Sequence, residues 1–274
     1  NRYGLLEPER TETNRRLYSE QDLYKLKLIK NAIDTGFKIG ELAGMDIEEL
    51  ERINKSYTNK PLPEDNDSSE TVESALDLIR NFDTAGFVDL LEKQSIALSK
   101  YNFIKSFLVP LLVRIGNLWE NGDLSISNEH FATANIRSVL GKMIEIPRVD
   151  NAPIVVSATP ANQYHELMAM MISVILSTKG YRIIYLGPNV PAEEIIRVSK
   201  SKNALAAVLS IVYPPDDYTI IEELSKLDRY LDETDIYIGG SSAFPYYEKF
   251  RDTSIHYYND IDEFLKKVEE SRIG

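Results

Sequence analysis

Apolar residues recur along this chain in three successive rhythms. Up to residue 54 they mark short helices and turns. Leu23, Leu26, Ile29 and Ile33 form a stripe at helical spacing. Ser19 with Asp22 three residues on opens it and Gly36 follows its end, so a helix is expected between them. The stretch IGELAGMDIEELERI reads as a second, short helical piece, and RYGLLEPERTETNRRLYS as a hairpin or turn segment. Residues 55–71 hold two prolines and no period, which predicts a linker. Residues 72–146 are helical in period throughout, with four helices expected near 71–81, 84–97, 100–121 and 125–145. Pro110 should kink the third. Asn121-Gly122-Asp123 should form the turn before the fourth, which Ser125 or Ser127 can cap. Short connections make the four an antiparallel bundle.

From residue 147 to the end the rhythm changes again. Apolar runs in PIVVSA, YRIIYLG, LAAVLSIV, DIYIGG and SIHYY read as strands, and amphipathic stretches between them as helices, one of them opened by Pro191. Strands alternating with helices predict an α/β domain with a doubly wound parallel sheet. Ligands bind such sheets at the carboxyl ends of the strands. Those ends are the loops at 159–165, 210–214 and 239–243.

Composition narrows the function classes. A chain of 274 residues has room for two compact domains and part of a third. Its net charge of −12 opposes whole-molecule attraction to nucleic acid, so any DNA contact needs a local basic patch. Zero cysteines exclude disulfides and thiolate metal sites and fit a cytoplasmic protein. No apolar run is long enough to span a membrane, and the charged start does not read as a signal peptide. The first residue is Asn, so the chain reads as a fragment. There is no Gly-x-Gly-x-x-Gly, no Walker motif and no His-Glu-x-x-His, so no catalytic constellation is expected.

Only three histidines are present. His256 falls in an expected strand and reads as structural. His165 follows the first strand, where an imidazole can ligate a metal or move a proton, although by itself it reads more readily as a helix cap or a surface residue. Its neighbours are Gln163-Tyr164-His165-Glu166-Leu167-Met168, with Ser210-Ile211-Val212 and Gly239-Gly240 further on. Forty-five residues separate His165 from Ser210, and twenty-nine separate Ser210 from Gly239. This set resembles the acid-x-His-x-x-Gly, Ser-x-Leu and Gly-Gly elements of the corrinoid-binding Rossmann-like domains. The resemblance implies that His165 ligates cobalt from below and that Gln163, Glu166, Leu167 and Met168 belong to its loop. It also implies that Ser210, Val212, Gly239 and Gly240 line a cleft for the cofactor's displaced nucleotide tail. The sequence departs from the pattern at Gln163, which replaces the acid, and at Met168, which replaces the loop glycine.

The bundle carries a second likeness. NLWENGDLSISNEHFATANIRSVL places Trp119 eleven residues before His130, itself preceded by Glu129. This resembles the cap bundle of the cobalamin photoreceptor regulators of the CarH and LitR type. There the tryptophan covers the upper face of the corrin and the Glu-His pair contacts the adenosyl group. Periodicity by itself would also allow Trp119 to fill the bundle core. Glu120 stands where some light-responsive members carry a histidine.

The N-terminal segment is similar to the wing and following helices of MerR-type winged-helix proteins. That likeness makes Arg2, Tyr3, Arg10, Arg15, Arg16 and Tyr18 DNA contacts. The recognition helix would precede residue 1. The resulting division is a partial winged-helix domain at 1–54, a linker at 55–71, a cap bundle at 72–146 and a Rossmann-like domain at 147–274. The implied protein is a MerR-type regulator that senses cobalamin, most readily adenosylcobalamin, self-associates as a dimer or tetramer, and holds operator DNA away from any membrane. The alternatives are a cobalamin-independent regulator of the same architecture and, in another class, a corrinoid subunit for methyl transfer.

Overall fold

The computed structural model describes residues 9–10, 16–17, 19–34, 39–42, 44–58, 66–146, 150–212 and 217–273. At the N-terminus β1 (Glu9–Arg10) and β2 (Arg16–Leu17) form an antiparallel ribbon, with Arg10 opposite Arg16. Helix α1 (Glu20–Asp34) begins as its capping pattern requires. Ser19 Oγ accepts from Asp22 N–H at 3.1 Å, and the Asp22 carboxylate accepts from Ser19 N–H at 2.8 Å. The short α2 (Ile39–Leu42) leads to α3 (Ile47–Thr58), which Asp46 and Glu49 open with the same reciprocal bonds. Leu28, Ile29, Ala32, Leu42 and Leu50 make a small separate core. Of the expected stripe, Ile29 is buried and Leu26 half-buried, and the side chains of Leu23 and Ile33 lie outside the described ones; Leu28 and Ala32 join Ile29 in the core that α1 shares with α3.

The bundle is α4 (Asn66–Arg80), α5 (Thr84–Ala97), α6 (Lys100–Asn102), α7 (Val109–Asn121) and α8 (Ile126–Met143). Two differences from expectation stand out. First, helix extends over 55–58 and 66–71, within the expected linker, while 59–65 lie outside the described residues. The first turn of α4, Asn66-Asp67-Ser68-Ser69-Glu70, is polar and acidic. Such a turn suits a helix N-terminus without showing any apolar period. Second, Pro110 is accommodated by widening the helix. Residues Phe103–Leu108, between α6 and α7, form a π-helical stretch, ending where Val109 N–H donates to Ile104 O. The looser winding ends just before the residue that has no N–H to donate. Of the two candidate caps for α8, Ser125 takes the role, in a reciprocal pair with Asn128.

The α/β domain runs β3 (Ile154–Pro160), α9 (Leu167–Thr178), β4 (Arg182–Val190), α10 (Ala192–Lys202), β5 (Ala206–Ser210), α11 (Tyr218–Tyr230), β6 (Asp235–Gly239), α12 (Phe244–Lys249), β7 (Ile255–Tyr257) and α13 (Ile261–Ile273). The five strands are parallel in the order β4-β3-β5-β6-β7. Only α12 was not expected; six residues containing a proline are too few to show a helical period. Alternate residues of each strand serve two cores. Val155, Ala206, Val208 and Tyr237 face α9, α13 and the bundle, whereas Val156, Ala207, Leu209 and Ile238 face α10, α11 and α12. The sheet is therefore covered on both faces, and the bundle shares the first core. The order reverses between β3 and β5, which opens a crevice at their carboxyl ends.

Candidate functional site

The loop after β3 is built against that crevice. Asn162 and Asn189 both adopt left-handed φ, and Asn162 N–H donates to Asn189 Oδ1 at 2.8 Å. Thr159 Oγ1 donates to the Gln163 carbonyl, which also accepts from Asn189 N–H at 2.9 Å. Gln163 itself is buried, and its side-chain oxygen accepts from Val212 N–H at 3.0 Å, just after β5. Gln163, which stands where the resembled loop has an acid, thus pins the loop across the switch point. His165, two residues on, is exposed and has no hydrogen-bond partner among the described residues.

Glu166, in contrast, is buried and holds the bundle. Its Oε1 pairs with Arg137 of α8 at 2.6 Å, and its Oε2 accepts from the Tyr185 hydroxyl of β4. Burial first, then the hydrogen bond to Glu166, pushes the Tyr185 phenol far above its ordinary range, so it is the donor. Arg137→Ala would leave Glu166 with one neutral donor. The expected cost is about 1–2 kcal/mol, below the roughly 3–5 kcal/mol of a wholly buried pair, because Arg137 is half exposed. Urea denaturation at neutral pH measures it; an unchanged midpoint would show that the pair adds nothing. Leu167 and Met168 are half-buried in the first turn of α9 and pack against the bundle–sheet core. The bulk of Met168 is thereby taken up in packing.

The Arg137–Glu166 contact fixes where the bundle sits. Four residues further along both helices, Gly141 of α8 lies against Met170 of α9. The two helices therefore run side by side in the same direction. Toward its N-terminus α8 continues past the start of α9 for about three turns, roughly 16 Å, overhanging the carboxyl edge of the sheet. His130 lies seven residues before Arg137, on the same face of α8. Its Nδ1 is 2.6 Å from Glu129 Oε2, and its ring is exposed. Trp119, in the last turn of α7 just before this overhang, is 47% exposed. It does not fill the bundle core.

The cleft residues are placed less simply. Ser210 is 1% exposed, and its Oγ has no hydrogen-bond partner among the described residues. It lies opposite Gly239 in the β5–β6 register, on the face shared with α9 and α13. The glycine pair, expected to admit a ligand, is approached by the chain itself. A Cβ on Gly239 would land inside the Tyr258 ring, and one on Gly240, at φ +111°, would strike the Ile211 carbonyl oxygen. Val212 O accepts from Ser241 Oγ at 3.0 Å and from Ser242 Oγ at 2.7 Å, which ties the ends of β5 and β6 together.

Three aromatic side chains ring the same edge: Tyr164 after β3, Tyr218 after β5 and Phe244 after β6, all exposed. Sequence reasoning did not single them out, although an aromatic close behind three strand ends was visible in the chain. Arg137 gave no such signal. His256 is on the edge strand β7, exposed, its ring 5.2 Å from that of Tyr237. Of the expected DNA contacts, Arg10 and Arg16 are register partners in the ribbon's backbone, and Arg2, Tyr3, Arg15 and Tyr18 lie outside the described residues. Among the described residues no helix is long and apolar enough to cross a membrane.

Comparison with known proteins finds two matching families. Residues 1–54 match the MerR HTH family regulatory protein family, and residues 71–143 match the B12 binding domain family. The HTH-type transcriptional repressor CarH of Myxococcus xanthus is 25% identical over 266 residues, 96% of this chain and 89% of that protein. Dimethylamine corrinoid protein 1 of Methanosarcina acetivorans is 24% identical over 161 residues, 56% of this chain and 75% of that protein. The solved monomethylamine corrinoid protein of Methanosarcina barkeri shares the fold at a TM-score of 0.60 and 14% identity, over 74% of this chain and 99% of its own. With the two matched domains in this order and a repressor similar along nearly its whole length, the chain is a MerR-type transcriptional regulator that carries a cobalamin-binding module.

Proposed function

We propose that this regulator senses adenosylcobalamin held between the overhanging bundle and the carboxyl edge of the sheet. His165 would hold the cobalt, Trp119 would cover the corrin, and Glu129 and His130 would lie beside the cofactor. One observation carries the reading: an exposed imidazole without a partner among the described residues, on a pinned loop, overhung by a helix that presents an exposed His130 paired with a half-buried Glu129. The residues fit the cofactor's chemistry. Imidazole is a good ligand for a transition metal. Among the described residues no group of three or more acidic or histidine side chains could hold a bare ion, so a single imidazole suits a metal that brings its other ligands. The unpaired Ser210 hydroxyl offers a buried polar contact inside the cleft.

When bound, the cofactor supplies a cobalt–carbon bond that light can break. The chain's part is to prefer one state of itself. A ligand shifts such an equilibrium only through a difference in affinity between states, and the Arg137–Glu166 contact is where bundle and sheet can register it. The loaded form would self-associate, as a dimer or tetramer, and hold operator DNA through the MerR-type domain; light would release it.

A cofactor-independent regulator is the second reading, favoured by the Tyr258 ring over Gly239. One experiment separates the two. The intact protein is incubated in the dark with adenosylcobalamin, passed over gel filtration and tested for operator binding before and after illumination. Co-elution of corrin absorbance with a larger species, and a cofactor-dependent operator shift, is the expected result. No corrin in the protein peak, with operator binding identical in all arms, would overturn the proposal in favour of the second reading.

A further inference from the structure

Tyr258 follows β7, and its N–H donates to Ile238 O at 3.1 Å, which swings its ring across the end of β6. The ring lies over Gly239, where no side chain could stand, and packs on Phe264 at 4.4 Å between centroids. Only 4% of the residue is exposed, and its hydroxyl has no partner among the described residues. Ser210, in register with Gly239 on the same face, carries another hydroxyl without a partner among the described residues; a third, that of Ser199, lies apart on α10. Around them the core is apolar, with Val208 two residues before Ser210 on the same face and Phe264 against the Tyr258 ring. Buried hydroxyls almost always find a partner, because water no longer supplies one. Two orphans at adjacent strand ends, beside the switch point and the His165 loop, point to a polar group that enters from outside.

We propose that Tyr258 gates this cleft and makes the site selective for the ligand's polar tail. In the free protein its ring closes the cleft; a tail that enters displaces the ring and takes up the Ser210 hydroxyl. The proposal rests on the corrinoid reading of the site and adds a specificity residue to it. A corrinoid without the nucleotide tail has no use for the cleft and is indifferent to the gate.

The test compares cobalamin with cobinamide, which lacks the tail, by absorbance titration of the full chain and of Tyr258→Ala and Tyr258→Phe. If the open form is populated at about one part in ten, removing the ring should tighten apparent cobalamin binding about tenfold. Cobinamide binding should stay within about twofold, and Tyr258→Phe, which keeps the ring, should resemble the parent in both arms. Should Tyr258→Ala fail to fold, hydrogen exchange on the unaltered protein decides. Amides of residues 255–264 should lose protection with cobalamin and keep it with cobinamide. Equal changes with both ligands, or none, would overturn the gate while leaving the corrinoid reading intact. Failure of both ligands to bind any form would overturn that reading, and the gate with it.

Discussion

Substituting His165 by alanine is expected to weaken cobalamin binding by about a hundredfold or more. A group that only orients a metal-ligating imidazole is already worth about 10- to 100-fold, and the ligand itself more. The Gln163, Thr159 and Asn189 bonds hold the loop without help from the imidazole, so the fold should survive the change. Absorbance titration in the dark reads both affinity and the loss of the imidazole-ligated spectrum. His256→Ala, on the far edge strand, is the matched control and should change neither. His130→Ala should leave the lower-ligand spectrum in place, because it sits on the bundle side. An unchanged spectrum in His165→Ala would remove this residue from the cobalt.

The largest expected loss of stability comes from Gly240→Ala. Gly240 has φ +111°, and an added Cβ would strike the Ile211 carbonyl oxygen and lie 3.0 Å from its carbon. Backbone cannot yield as a flexible side chain can. A strained dihedral costs about 1–3 kcal/mol. Overpacking adds about 1–3 kcal/mol, so a loss near 3 kcal/mol or more is expected. Gly187 offers a control: its φ is +92°, but an added Cβ there meets nothing within 4 Å. Gly187→Ala should cost only about 1–2 kcal/mol, the left-handed penalty by itself. Urea midpoints followed by far-UV circular dichroism measure both. Equal losses would show that the close approach to Ile211 does not matter.

Much of the architecture was legible because it is written locally. The switch from helical to alternating β and α rhythm near residue 150 announces the sheet domain, and Ser19, Ser125 and Pro191 each begin the helix that their chemistry suits. Pro110 announced a disturbance, though not its form, since a kink and a widened turn both relieve the missing donor. The place of His165 at a strand's carboxyl end was readable for the same reason. What could not be read depends on the order of the strands. Gln163 meets Val212 only because β5 lies beside β3, with β4 set on the other side. Arg137 meets Glu166 only because α8 runs alongside α9. The glycine pair looked like an open approach to a ligand, yet Tyr258, nineteen residues beyond Gly239, lies across it. Period and capping involve neighbours a few residues apart and are fixed before the chain closes. Which residue faces an empty space, and which fills it, is decided when distant segments share one core.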